Sequence, residues 1–227
     1  MPIYTVFIIN NAGSLMYWAD FNIPRSEVEK TFSYPLRFKF KILHERVVID
    51  YGQQDGVKVG YAILGINGQA VDGTRFSCTH NGASKTVDVL EYLGNEDNFP
   101  VDIKFGRPRL RANERIVLAS TFHSLYEISI RMSPEKNSSG IRQVDTETYR
   151  MHCFEAVTGV KFVVITDLRQ QTSSIETFLR KLYELYADFA LKNPFYSLDQ
   201  PIRCDLFEKN VSIAVDQFDR TGTVVLS

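Results

Sequence analysis

The chain contains little cysteine and no excess of charge of either sign. Its three cysteines, Cys78, Cys153 and Cys204, are odd in number and far apart, which is typical of reduced thiols rather than of a disulfide framework. The 26 basic and 27 acidic side chains give a net charge of −1, so binding to nucleic acid lacks electrostatic support. No apolar run approaches the length of a membrane span, and the start of the chain lacks a secretory signal. These absences predict a cytoplasmic protein without direct membrane insertion.

Sequence motifs that carry enzyme chemistry are also missing. The chain has no phosphate-binding loop of the Walker type, no dinucleotide fingerprint, no zinc-protease motif and no paired-cysteine motif. Cys153 could act as a nucleophile and the adjacent His152 as its base, but both lie on a predicted strand. Successive side chains of a strand point to opposite faces, so these two cannot form the required hydrogen bond. We expect no catalytic residue, no metal and no cofactor.

An almost continuously apolar run, Ile3–Ile9, opens the chain. Such a run predicts a central strand that is buried on both faces. Residues 10–13 are typical of a turn, and Leu15–Asp20 supplies a second strand. Because a lone hairpin is not stable in water, the rest of its sheet must come from later in the chain.

The segment after this hairpin predicts an independent β-rich module. It has four predicted strands and one short helix, namely strands at residues 36–42 and 46–50, a strand within 56–71, the helix at 85–93 and a strand at 101–105. The Asn67-Gly68 pair is a strong signal for a tight turn. This order resembles a PDZ domain, most specifically at residues 56–71.

A PDZ domain binds the C-terminal carboxylate of a peptide through a glycine-rich loop and adds the peptide to its sheet as a strand. The equivalent loop here, residues 34–38, contains no glycine, and its proline removes an N–H donor. The candidate groove residues are Pro35, Leu36, Arg37, Phe38 and Thr86. We rank peptide binding below a role of the module as a spacer or a contact surface.

The remaining segment, residues 109–227, predicts the elements that complete the interrupted sheet. These are a helix at 111–132, strands at 141–148, 149–157 and 160–167, a helix that begins at the Ser173-x-x-Glu176 capping box, and a last helix at 203–218. The order of strand, strand, insert, helix, three strands and two helices resembles the longin fold, an α+β architecture. We therefore predict a five-stranded, antiparallel-rich longin domain with three helices at residues 1–25 and 109–227, interrupted by a PDZ-like module at 26–108.

Several stretches carry a more specific resemblance, namely residues 29–36, 91–95, 105–110, 158–164 and 188–198. They resemble the synbindin family, whose members are subunits of the TRAPP vesicle-tethering complex with a longin domain interrupted by a PDZ-like module. The resemblance implies a non-catalytic core subunit that acts in ER-to-Golgi and intra-Golgi transport. It also implies a contribution to the platform that promotes guanine-nucleotide exchange on a Rab GTPase.

The resemblance implies three kinds of partner: a second longin subunit, subunits of the palmitoylated-core type, and a Rab GTPase of early secretory traffic. The protein would associate peripherally with the cis-Golgi, the ER and transport vesicles through the complex. The first long helix and the predicted edge strand supply the candidate interface residues, which are Ile116, Phe122, Tyr126, Ile130, Arg142 and Val144. The alternative function is a PDZ-like adaptor that binds the C-terminal tails of membrane proteins.

Overall fold

The computed structural model describes residues 2–24, 26–52, 56–80, 83–135 and 138–223. The chain divides into two compact units, of which the first comprises Met1–Pro24 with Leu110–Ser227 and the second Arg25–Arg109. Each unit has its own hydrophobic core.

The described residues form thirteen strands and four α-helices. The strands are β1 (Ile3–Ile9), β2 (Leu15–Asp20), β3 (Glu27–Phe32), β4 (Lys39–Leu43), β5 (Arg46–Tyr51), β6 (Ala62–Ile66), β7 (Gln69–Asp72), β8 (Arg75–His80), β9 (Ala83–Asp88), β10 (Val101–Gly106), β11 (Gln143–Asp145), β12 (Arg150–Glu155) and β13 (Lys161–Thr166). The helices are α1 (Val89–Gly94), α2 (Ala112–Met132), α3 (Thr172–Tyr186) and α4 (Asp205–Thr221).

The first unit contains a five-stranded antiparallel sheet in the order β11-β12-β13-β1-β2. The opening strand therefore has a neighbour on each side, as its apolar sequence predicts. The turn after it is fixed by Asn10, whose side-chain oxygen accepts hydrogen bonds from the N–H groups of Ala12 (3.0 Å) and Ser14 (2.7 Å). With α2, α3 and α4, this sheet confirms the α+β class and the five strands and three helices.

The two faces of this sheet carry different helices. Ile3, Val6 and Ile8 belong to a large core that includes the buried side chains of α3 and α4. Phe7 and Ile9, on the opposite face, pack in a smaller core with α2. Helix α2 thus covers one face of the sheet, and α3 and α4 cover the other.

The predicted capping box of α3 is wrong. The helix begins at Thr172, with Gln171 in the cap position and no side-chain hydrogen bond from it, so Ser173 lies inside the first turn. The other end agrees with the sequence, because a π-helical turn at Ala187–Leu191 precedes Asn193 and Pro194.

The second unit contains an eight-stranded sheet with more strands than the sequence predicts. Strand β3, which the sequence analysis missed, has the sequence EVEKTF, in which charged residues obscure the alternation of apolar and polar side chains. It pairs along its whole length with β10. Strands β8 and β9 pair with each other where the sequence predicts a polar loop followed by a helix. The helix starts later than predicted, since the carboxylate of Asp88 accepts the N–H of Leu90 (2.9 Å) at its N-terminus.

We expect the insert to be dispensable for folding of the first unit. Replacing residues 26–108 with a short Gly/Ser linker should leave a single cooperative thermal transition, because each unit has its own core and loop closure costs little extra entropy as the loop lengthens. Circular dichroism of the shortened chain, followed against temperature, measures this. Loss of the cooperative transition would show that the insert is required.

Candidate partner interface

Helix α2 is the element that the sequence assigns to a partner. Its first turn is stabilised by Glu114, whose carboxylate accepts the backbone N–H of Arg111 at 2.7 Å. An acidic residue in the first turn and Arg131 in the last both complement the helix dipole. The helix therefore has well-defined ends, at Ala112 and Met132.

The inner side of α2 consists of Ala119, Phe122 and Tyr126, which are buried. They pack in the small core with Phe7 and Ile9 on the sheet. Phe122 and Tyr126, two predicted interface residues, thus pack mainly inside the first unit, although Phe122 also lines an apolar cavity beside the helix, and their role in an interface stays a prediction. Ile130, which is half-buried, packs at the border of the same core.

The outer face of α2 carries large apolar side chains that are exposed to solvent. These exposed residues are Val117, Leu118, Leu125, Ile128 and Met132. At about 100° per residue they fall within a sector of roughly 100°. The sequence analysis predicted Ile116 at the interface; it is also exposed, but lies on a different side of the helix. We use the term outer face for the five residues of the sector.

A cavity of about 130 Å³ opens between α2 and the sheet, next to the outer face. Leu118 and Leu125 line it together with Phe7, Met151 and Val163 of the sheet. Two side chains of the outer face are thus continuous with an apolar depression. Such a surface is suited to receive side chains of another protein.

The edge of the sheet beside this region is β11. It spans three residues rather than the predicted eight, and among the described strands it pairs with β12 alone, opposite Arg150, Met151 and His152. The carboxylate of Asp145 accepts two hydrogen bonds from Arg150, at 2.7 and 3.1 Å, and these bonds lower its pKa. Of the candidate residues here, Arg142 is exposed and Val144 is half-buried. A short edge strand limits uncontrolled pairing between chains.

A charged cluster beneath α2 holds the helix on the sheet. The ammonium of Lys161, which is 1% exposed, lies 3.2 Å from Glu127 of the helix and 3.1 Å from Glu155 of β12. It also lies 4.7 Å from the ring centroid of Tyr126. The hydroxyl of Tyr126 donates to the carbonyl of Ser139 at 2.5 Å and lies 3.0 Å from Glu155. Ion pairs and cation–π contact together fix the orientation of α2, and hence of its outer face.

His152 and Cys153 are both buried, and their protonation states do not suit nucleophilic chemistry. Burial raises the pKa of Cys153 to about 12, so the thiol stays protonated at pH 7. Burial, and then the charge of Arg150, lowers the pKa of His152 to about 4, so the imidazole is neutral. Its Nε2 atom has no hydrogen-bond partner within the described part of the chain.

The lowered pKa of His152 predicts a loss of stability in mild acid. The unfolded chain takes up the proton near the ordinary pKa of 6.5, whereas the folded chain takes it up only near 4. The stabilising contribution of neutral His152 is therefore fully present well above pH 6.5, and about 2 kcal/mol of it should be lost by pH 5. Urea unfolding at several pH values measures this. The variant His152→Leu should lose most of the pH dependence, and equal slopes for both proteins would contradict the assignment.

The PDZ-like candidates of the second unit do not form one exposed surface. Pro35 and Arg37 are exposed and Leu36 is half-buried, but Phe38 is buried and its ring packs against Phe32 and Phe105. Thr86 lies on β9 opposite Ser77, not on the first turn of a helix. The structure therefore corrects the assignment of Phe38 and Thr86.

The described residues offer no metal centre: no group of three or more His, Cys, Asp or Glu side chains could hold an ion. None of the described helices is both long and apolar enough to cross a membrane.

Comparisons of the sequence with a family profile and with individual proteins agree on one family. The profile of the Sybindin-like family matches residues 3–218. The proteins called "Trafficking protein particle complex subunit 4" from Homo sapiens and Bos taurus are each 52% identical over 223 residues, 98% of this chain and 98% of their own length. "Trafficking protein particle complex subunit 1" from Rattus norvegicus is 34% identical over 82 residues, 36% of this chain and 55% of that protein. The chain belongs to the Sybindin-like family.

Proposed function

We propose that the chain is a non-catalytic subunit of a trafficking protein particle complex, and that the outer face of α2 and the β11 edge bind a neighbouring subunit. The names of its relatives support membership of such a complex. The assignment of this surface rests on the exposure of five large apolar side chains on one side of α2. Soluble monomers rarely expose apolar patches of this kind, and such patches mark protein interfaces.

The same proposal includes a role in ER-to-Golgi and intra-Golgi vesicle transport. Two longin subunits joined through their helices and sheet edges would offer a Rab GTPase a composite surface. Nucleotide exchange then works by displacing the GTPase's own contacts to nucleotide and magnesium, so it requires no catalytic side chain on this chain. The protein would reach the cis-Golgi, the ER and vesicles as part of the complex.

We expect the isolated subunit to lack exchange activity. A single chain provides only part of the composite surface, so it should not accelerate release of a fluorescent guanine nucleotide from the Rab GTPase. The complex assembled with the same chain should accelerate release, which serves as the positive control. Stimulation by the lone chain that equals stimulation by the complex would contradict the proposal.

A PDZ-like adaptor remains the second candidate because β4 pairs only with β5 and so leaves one edge open within the described residues. The glycine-free loop at residues 34–38 weakens it, since few N–H groups can converge on a carboxylate there. Titration of the chain with a fluorescent peptide that ends in a free carboxylate, against the same peptide with an amidated end, separates the two functions. Only an adaptor should prefer the free carboxylate.

A further inference from the structure

Strand β12 has an open edge beyond the end of β11. The last bond between the two segments joins the N–H of Cys153 to the carbonyl of Arg142 at 2.8 Å. On the other side of β12, the N–H of Ala156 donates to the carbonyl of Val160 at 2.8 Å. Because the backbone groups of successive strand residues point to opposite edges, those of Glu155 point away from β13. No backbone group of the described residues pairs with them there, so this edge offers one donor and one acceptor.

A groove with a volume of about 390 Å³ lies against this open edge. It is lined by residues 152–155 of β12, by Arg142, and by Thr172, Glu176 and Arg180 of α3, and we call it the edge groove. The three residues of α3 are four positions apart, so they share one side of the helix over about 12 Å. An extended chain rises about 3.3 Å per residue, so this length accommodates about four residues of a peptide strand.

The charges around the edge groove favour an acidic ligand. Arg142 and Arg180 both line it, and neither forms an ion pair with any carboxylate that the structure describes. Of the carboxylates in the lining, Glu155 is already bound to Lys161 at 3.1 Å, which leaves Glu176 against two guanidinium groups. A carboxylate on the ligand would therefore meet uncompensated positive charge, in a form that guanidinium groups bind well.

The unpaired polar groups favour a polypeptide over a small anion. His152 lines the groove and is 2% exposed, and its Nε2 atom has no hydrogen-bond partner within the described part of the chain. Buried polar atoms of this kind are uncommon in folded proteins. The unpaired N–H and C=O of Glu155 match the alternating acceptors and donors of an added strand, which a small anion does not possess.

We propose that the edge groove binds an extended, acidic segment of a neighbouring subunit, which adds to the sheet beyond β11 and places a carboxylate against Arg142 and Arg180. This inference rests on the proposed function, because the segment would come from the subunit bound at the β11 edge. It specifies the chemistry of that partner: a strand with acidic side chains, in addition to the apolar side chains that meet the outer face of α2.

Peptide binding to the isolated full-length chain tests this proposal. The probe is a fluorescein-labelled peptide of about six alternating valine and aspartate residues with both ends blocked, and fluorescence anisotropy measures its binding. The same peptide with asparagine in place of aspartate should bind about 10-fold more weakly, which corresponds to about 1.4 kcal/mol. N-methylation of the aspartate peptide at alternate residues removes the donors of one strand edge. The form that blocks the edge facing β12 should not bind.

Substitutions in the groove should change the affinity for the aspartate peptide in opposite directions. Arg180→Gln should weaken binding about 10-fold, since it removes a charged hydrogen-bond donor. Glu176→Gln should strengthen binding about threefold, since it removes the opposing charge. The matched control is Arg220→Gln, which removes an exposed charge from the last turn of α4 and should bind like the wild type.

Three results would each overturn the proposal: equal binding of the aspartate and asparagine peptides, unimpaired binding of both N-methylated forms, or no binding at about 1 mM peptide. All three leave the proposed function intact, because co-purification of the wild-type chain with the other subunits measures assembly separately. A wild-type chain that binds the peptide but does not assemble would overturn the proposed function, and with it the neighbouring subunit as the source of the segment.

Discussion

Replacing Leu125 and Ile128 together with glutamate should abolish co-purification of the chain with its partner subunits while the chain stays folded. Both side chains are more than half exposed, at 54% and 51%, so the isolated unit loses almost no packing. In an interface the same positions would bury two unpaired charges and lose two apolar contacts. At about 2 kcal/mol each, the combined cost of about 4 kcal/mol weakens binding roughly 1000-fold.

The matched control is Ile213→Glu on α4. Ile213 is 53% exposed, nearly the same as Leu125, but it belongs to a helix on the other face of the sheet. The control should co-purify normally, and circular dichroism should show unchanged folding for all variants. Normal assembly of the double variant would show that the outer face is not the interface. Ile116→Glu then tests whether the contact extends to the side of α2 that Ile116 occupies.

The sequence predicts the ends of α2 to within one residue, but not which side of the helix faces the sheet. The sequence analysis placed Tyr126 and Phe122 at the surface, whereas the structure buries them and exposes Leu125 and Ile128. The reason is physical: apolar residues occur on most sides of this helix, so its hydrophobic periodicity does not single out one stripe. Only the packing against Phe7 and Ile9 settles the orientation.

In the second unit, local sequence patterns predict one turn correctly but miss several strands. The Asn67-Gly68 turn is confirmed, since both residues have positive φ, at 48° and 75°. Strands β3, β8 and β9 are missed because polar and charged side chains dominate their sequences. Their strand conformation depends on hydrogen bonds to neighbours distant in sequence, such as β10, which a local pattern does not contain.

The candidate interface was therefore only partly predictable. The sequence assigns the candidate interface to α2 and to the edge at β11, including Arg142 and Val144, and the structure exposes large apolar side chains on that helix. The interface itself stays a prediction. Two features have no local signal, namely the cavity beside Leu118 and the charged cluster around Lys161. The cavity arises where α2 meets β1, β12 and β13, and the charged cluster where α2 meets β12 and β13, so both depend on contacts between elements distant in sequence.

Burial of Tyr126 leads to the second large expected effect, Tyr126→Glu, which should unfold the first unit. The side chain is 1% exposed, and a carboxylate there would be buried close to Glu155. Lys161 beside it already pairs with Glu127 and Glu155, so a third buried carboxylate adds repulsion between like charges, which costs about 4 kcal/mol in addition to the lost ring packing. A domain has only about 5–15 kcal/mol of stability, so little or no cooperative transition should remain.

The companion variant Tyr126→Phe separates packing from hydrogen bonding at the same position. It keeps the ring over Lys161 but removes the hydroxyl that donates to the Ser139 carbonyl, so it should cost only about 1 kcal/mol. Urea unfolding followed by circular dichroism measures both variants. If Tyr126→Glu instead retained wild-type stability and lost only its partner subunits, Tyr126 would belong to the interface and α2 would pack on the sheet through a different side. A wild-type-like Tyr126→Phe with an unfolded Tyr126→Glu is the pattern that the buried position predicts.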